Sequence, residues 1–119
     1  MSWMHTAQLS LLERFLDMSA TRQTLVSTNL ANVDTPGYHT RDIDFRGEMQ
    51  RAMDGFTLVS SSPAVRQVRG LLARPDGNNV SVDRESLLLA QLQLQFKAAT
   101  AIIKAEFVRL NNAIKEGQS

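Results

Sequence analysis

No cysteine occurs in the 119 residues, which excludes disulfides and thiolate metal sites and leaves the chain indifferent to the redox state of its compartment. Net charge is nearly absent too. Thirteen Lys and Arg oppose twelve Asp and Glu, giving +1 at pH 7, too little for the long-range positive field that attracts nucleic acid or anionic membranes. The longest unbroken apolar run outside the start, Leu87 to Ala90, falls far short of the roughly 20 residues of a membrane helix. At the start, Leu9, Leu11 and Leu12 follow no cationic segment and are cut off by Glu13 and Arg14, so no cleaved signal and a soluble chain are expected. A glycine-rich phosphate loop is missing, as is any serine or threonine in a nucleophile setting. Not an enzyme, with no cofactor, is the resulting expectation.

What is present is helical periodicity at both ends. Apolar residues recur with 3,4 spacing at Leu9, Leu12, Leu16, Val26, Leu30 and Val33, passing through Ser19 and Gln23, which predicts a helix over 6–33. Thr6 is its expected N-cap; Ser10 with Glu13 reads as an alternative capping box. A second stripe, Leu11, Phe15, Met18 and Leu25, widens the apolar face and implies more than one neighbour. Pro36 pushes Thr35 out of the α region and Pro36-Gly37 suits a type II turn, so the helix must stop near Val33.

At the other end, Asp83 is the expected N-cap of a helix over 83–116, with Glu85 in its first turn. Leu89, Leu92, Phe96, Ala99, Ile103, Glu106, Leu110 and Ala113 form its 3,4 series, and further apolar residues leave one clear polar stripe that includes Lys97, Lys104 and Lys115. A helix apolar on most sides is normally buried on most sides. Between the helices, residues 34–82 read as irregular. Arg41 to Phe45 alternates like a short extended piece, Phe45 to Met53 could form two helical turns, and Phe56 to Val59 could be a strand before the break at Ser60 to Pro63. Asp76-Gly77-Asn78-Asn79 is a turn. The fold expected is therefore mainly α: one unit over 1–119, with two long amphipathic helices bracketing a short middle segment with small β pieces. Helices of about 45 Å make it elongated, and a middle too small to cover them leaves apolar surface for association.

The candidate chemistry is thin. His39, Asp42 and Asp44 could suggest a metal or acid-base cluster, but no second cluster completes a coordination shell, and no metal site is assigned. His5 has no partner in view. The 76–79 turn lacks the alternating oxygen ligands of a calcium loop. Asn79-Val80-Ser81 fits a glycosylation sequon, a frequent chance match. Arginines 41, 46, 51, 66, 69 and 74 crowd the middle, yet Asp42, Asp44, Glu48 and Asp54 lie among them and few aromatics could stack on bases, so nucleic acid is not an expected partner.

The segment Ser27-Thr28-Asn29-Leu30-Ala31-Asn32-Val33-Asp34-Thr35-Pro36-Gly37-Tyr38 resembles the N-terminal signature of bacterial flagellar rod and hook proteins, S-x-N-[LI]-A-N-x-x-T-x-G-Y. Arg41 to Phe45 and Asp76-Gly77-Asn78-Asn79-Val80 are similar to stretches of the proximal rod branch of the basal-body rod protein family, whose short length also fits. The T-x-P-x-H-like stretch of that family is only partly present, as Ser62-Pro63-Ala64.

The resemblance implies a structural subunit of the proximal rod. It would be exported without a cleaved signal by the flagellar type III apparatus and would stack in the periplasm as part of the drive shaft for motility. Its implied partners are copies of itself, other rod subunits and the adaptor between basal-body ring and export gate. The resemblance assigns Asn29, Leu30, Ala31, Asn32, Thr35, Gly37 and Tyr38, with Ser27 and Pro36 beside them, to the helix exit and to packing between subunits. Leu9, Leu12, Leu16, Val26, Leu30, Leu89, Leu92, Phe96, Ile103 and Leu110 are the expected helix-packing residues. The Lys97, Lys104 and Lys115 stripe could face a solvated channel. The competing expectation is a self-contained helical adaptor or chaperone-like binding protein.

Overall fold

The computed structural model describes residues 2–55 and 62–117, with side chains from residue 7 onward. Along the chain come helix α1 (Ser2–Ala31), strand β1 (Arg41–Ile43), helix α2 (Phe45–Met53), strand β2 (Val65–Gln67) and helix α3 (Val82–Gly117). α1 and α3 lie antiparallel. Asn29 meets Glu85 at one end, and Leu9 and Leu12 share a groove with Ile102 and Glu106 towards the other. Two helices of this length give an envelope of 70 × 27 × 18 Å.

α1 differs from the expected 6–33 at both ends. It begins at Ser2, so neither Thr6 nor Ser10 caps it. Its last four-residue bond runs from the Asn32 N–H to the Thr28 carbonyl, and helix α1 closes at Ala31 because the N–H groups of Val33 and Thr35 reach back only three residues, to the Leu30 and Asn32 carbonyls. Pro36 and Gly37 then form the central pair of a turn in which Tyr38 N–H donates to the Thr35 carbonyl at 3.2 Å, with Gly37 at φ 74°. That is the type II geometry the Pro-Gly pair favours.

Beyond the turn, the chain doubles back along α1, and residues 41 to 48 meet Asn29, Arg22, Phe15 and Arg14 in succession. Phe15 packs edge-on against Phe45, ring centroids 5.3 Å apart, so α2 covers part of the second apolar stripe of α1 from within the chain. Asp44 caps α2 by accepting the Gly47 N–H at 3.2 Å. β1 and β2 pair antiparallel, Arg41 with Gln67, Asp42 with Arg66 and Ile43 with Val65. β2 was not expected, because all three of its residues are exposed and carry no alternation. The expected strand over 56–59 and the start of the break at Ser60 lie outside the described residues.

α3 starts one residue before the expected Asp83. Ser81, not Asp83, caps it, its hydroxyl accepting the Arg84 N–H at 3.2 Å. Among the described residues the buried apolar set is small: Met18, Val26, Ile43, Val80, Leu92 and Ala99. Eight polar or charged residues are equally buried, Ser19, Asn29, Thr40, Asp42, Glu48, Asn78, Asn79 and Glu85. A core with more polar than apolar members must hold by satisfying its hydrogen bonds, since unpaired buried polar groups cost more than such a core can offset.

α3 is also long and apolar enough, by length and composition alone, to cross a membrane, a property hidden from a search for unbroken apolar runs. Leu87, Leu94, Phe96, Ile102, Phe107, Val108, Leu110 and Ile114 are all exposed along it. One partner helix covers one face, and the exposed residues on the remaining faces have no covering neighbour among the described residues.

Candidate functional site

The polar core is a clasp that binds the exit of α1, the 76–80 loop and the entry of α3 into one head. Its centre is Asn29, fully buried in the last turn of α1. The Asn29 carboxamide oxygen accepts from the Tyr38 hydroxyl at 2.9 Å and the Arg41 N–H at 3.1 Å. Its amide nitrogen donates to the Arg41 carbonyl at 2.9 Å and to Glu85 Oε2 at 3.2 Å. All four hydrogen-bonding positions of this amide are thus filled, by β1, by the turn and by α3.

Glu85 is equally buried, and Arg84 donates to its other oxygen at 2.6 Å. Arg84 also reaches Asp42 Oδ2 at 3.0 Å, and Arg22 clamps Asp42 through Nε and Nη2, each at 3.0 Å. The planar guanidinium matches a carboxylate in this two-point way. Burial is the largest influence on Asp42 and opposes its ionisation. The Arg22 hydrogen bonds, the Ile43 N–H, the Arg22 charge and the Arg84 hydrogen bond together outweigh it, so the carboxyl lies below its usual range. Arg22 also sits over the Phe45 ring, 5.9 Å from its centroid.

The loop from Arg74 to Val80 locks onto the same exit. Asn78 is fully buried and donates from Nδ2 to the carbonyls of Asn32 and Thr35, both at 2.9 Å, while its Oδ1 accepts the Val80 N–H at 2.8 Å. Asn79 Oδ1 accepts the Thr40 N–H at 2.7 Å, and Gly37 N–H donates to the Asp76 carbonyl at 2.9 Å. Arg74 donates to the Val33 carbonyl. Carbonyls orphaned where the helix stops are therefore capped by side chains forty residues away.

Of the signature residues, Asn29, Asn32, Thr35, Gly37 and Tyr38 enter this clasp. Asn32 Nδ2 holds the Thr28 carbonyl at 2.8 Å and its Oδ1 accepts from the Thr35 hydroxyl at 3.0 Å. Leu30 is half-buried, while Ser27, Ala31 and Pro36 are exposed and take no part. Of the expected packing residues, Val26 and Leu92 are core, and Leu12, Leu16, Leu89 and Ile103 are half-buried. Leu9 on α1 is exposed, as are Phe96 and Leu110 on α3, of which α1 covers only one face. The polar stripe residues Lys97, Lys104 and Lys115 are exposed.

Arg22 and Arg84 were missed by sequence reasoning, which read Glu85 only as a first-turn charge and Arg74 only as one of the arginines of the middle segment. A signal was available. Leu12, Phe15, Ser19, Arg22, Val26 and Asn29 share one helical face at 3,4 spacing, and polar residues within such a face point to a buried network. Of the imagined metal cluster, Asp42 has both oxygens engaged by arginines, and His39 lies 3.4 Å from the Asn79 amide. No group of three potential metal ligands occurs among the described residues. The clasp consumes its polar atoms in bonds to one another, so its chemistry is that of a joint.

No family model matches the chain. Curated relatives do. The chain is similar to the flagellar basal body rod protein FlgB of Salmonella typhimurium, at 31% identity over 131 residues, covering 93% of this chain and 95% of the relative. It is 30% identical to FlgB of Escherichia coli K12 over the same shares of both chains. To FlgB of Cereibacter sphaeroides ATCC 17029 it is 32% identical over 121 residues, covering 91% and 94%.

Proposed function

The chain belongs to the FlgB family of flagellar basal-body rod proteins and is a structural subunit of that rod, and from this premise we propose that it assembles through its two terminal helices into the proximal drive shaft. The supporting observation is that eight large apolar side chains, from Leu87 to Ile114, are exposed around α3. A patch of that extent on a lone molecule is an interaction surface. Packing among other helices would cover it, and the clasp would fix the angle at which each subunit offers its pair.

On this reading the chain is not an enzyme; its partners are copies of itself, neighbouring rod subunits and the adaptor at the ring and export gate. It reaches the periplasm through the flagellar type III apparatus without a cleaved signal. Ser27, Ala31 and Pro36, the exposed signature residues, contact neighbouring subunits. The Lys97, Lys104 and Lys115 stripe faces a solvated channel. Membership of the family disfavours the self-contained adaptor.

Deleting the gene should abolish motility, and the protein should co-purify with basal bodies. A chain with Phe107→Asp should keep the clasp but fail to restore motility. Normal motility in the deletion strain, or a protein found only outside basal bodies, would overturn the reading.

A further inference from the structure

Beside the Asn29 network the head holds a cleft of about 1320 Å³, bounded by Arg22 of α1, the paired strands β1 and β2, the start of α2 and the first turns of α3. Five arginines and two aspartates line it. Arg22 and Arg84 are engaged with Asp42, and Arg66 stands 3.8 Å from Asp44. Arg46 and Arg69 make no hydrogen bond or ion pair with any described residue. The Gln95 side-chain oxygen, on the wall, is buried without a partner. The cleft is therefore positive beyond what its own aspartates neutralise, in a chain whose total charge is almost zero.

The balancing negative charge lies elsewhere on the same molecule. Glu13 and Asp17 are four residues apart on the exposed side of α1, which places both carboxylates on one helical face. Neither carboxylate has a partner among the described residues. Ala20, Thr24 and Ser27 continue that exposed face with small side chains, so a neighbour can approach closely along it. Ser27 is a signature residue that the clasp does not use.

We propose that the arginine-lined cleft of one subunit receives the Glu13 and Asp17 face of α1 from a second copy of the chain. The occupant is chosen by charge complementarity and by continuity with the unused signature residue. Because the two surfaces differ, the contact is head-to-tail and repeats from copy to copy, as a helical shaft requires. Arg46 and Arg69 pair with the incoming carboxylates, and charge sets the register while the apolar surface of α3 supplies adhesion. The inference rests on the rod assembly proposed above.

The absence of native cysteine makes a direct test clean. Two differently tagged full-length chains, one with Ala20→Cys and one with Gln67→Cys, are expressed together in the deletion strain, and isolated basal bodies are oxidised. A mixed disulfide between the two tags is expected. Arg46→Glu with Arg69→Glu in the Gln67→Cys chain should lower its yield about tenfold or more, and Glu13→Arg with Asp17→Arg in the other chain should restore it. Arg46→Gln with Arg69→Gln should give a smaller loss, which guards against misfolding of the reversed variant. Basal bodies that contain both tags but no mixed disulfide would overturn the pairing, as would a yield indifferent to charge reversal or a charge swap without rescue. Absence of the unsubstituted chain from basal bodies would instead overturn the rod assembly itself.

Discussion

Gly37 and Gly77 lie back to back: a Cβ on Gly77 would stand 3.4 Å from the Gly37 Cα, and φ is 74° at Gly37 and 86° at Gly77. One belongs to the turn that ends α1 and the other to the loop before α3, forty residues later. The adjacent Gly37 N–H bond to the Asp76 carbonyl fixes their approach. An L side chain opposes this backbone conformation at both positions. Gly37→Ala and Gly77→Ala should each lower stability by about 1–2 kcal/mol. Urea unfolding followed by helix signal would test this, and an unchanged midpoint in either variant would contradict it.

Asn29→Ala should be more damaging than any other single truncation in α1. It leaves the Arg41 N–H and carbonyl and the Glu85 carboxylate without their buried partner, on the order of 3 kcal/mol in total. Asn29→Asp should restore the acceptor bonds but face Glu85 with a like charge, so its stability deficit should shrink as pH falls and one carboxyl takes up a proton. A deficit independent of pH would show that the 3.2 Å contact with Glu85 carries no weight.

Asp42 gives the native chain its own acid dependence. Its folded-state carboxyl lies below the usual 3.8, so its contribution is fully present above that value and is lost as pH falls through the lower folded value. Asp42→Asn should be less stable at neutral pH, and its stability should fall less between about pH 4 and pH 2 than that of the native chain. Parallel pH profiles for the two would refute the assignment.

Local stability should be unequal along α3. Glu85, Leu92 and Ala99 are buried in its first half, whereas its last two turns are exposed throughout. In a dilute monomer, amide exchange should be slowest around residues 85–95 and fast beyond about residue 105. In isolated basal bodies the distal amides should become protected, and uniform protection in the monomer would argue against folding completed by assembly.

Much of this was legible in the residues, though unevenly. Pro36-Gly37 fixes the helix exit through local sterics, and local sterics can be read from two letters. The register of the buried face was harder. The 3,4 series contained Ser19 and Val26, and the second stripe Met18, all deeply buried, but the series also ran through exposed Gln23 and half-buried Leu16 and Leu30 and passed over Asn29. Arg22 and Asn29 can turn inward only because Asp42, Arg41 and Glu85 wait there, and those partners are distant in sequence. The exposed strand β2 and the cap at Ser81 were missed for a similar reason: each is set by what it pairs with, not by its own pattern.

The two long helices are held to one another in different ways along their length. At the head, donor and acceptor atoms with fixed directions link α1 to α3 through Asn29 and Glu85 and, by way of Asp42, through Arg22 and Arg84. Farther along, Leu9 and Leu12 share an apolar groove with Ile102, and apolar contact resists separation with little directional preference. A twisting load on one subunit will therefore be carried between its helices at the head, where turning one helix strains bonds on the other. Around the apolar groove, sliding by fractions of an ångström costs less than the same displacement at the head. Such a molecule is rigid as a coupling and compliant as a strut, and a shaft built from many of them can transmit rotation while yielding slightly to bending.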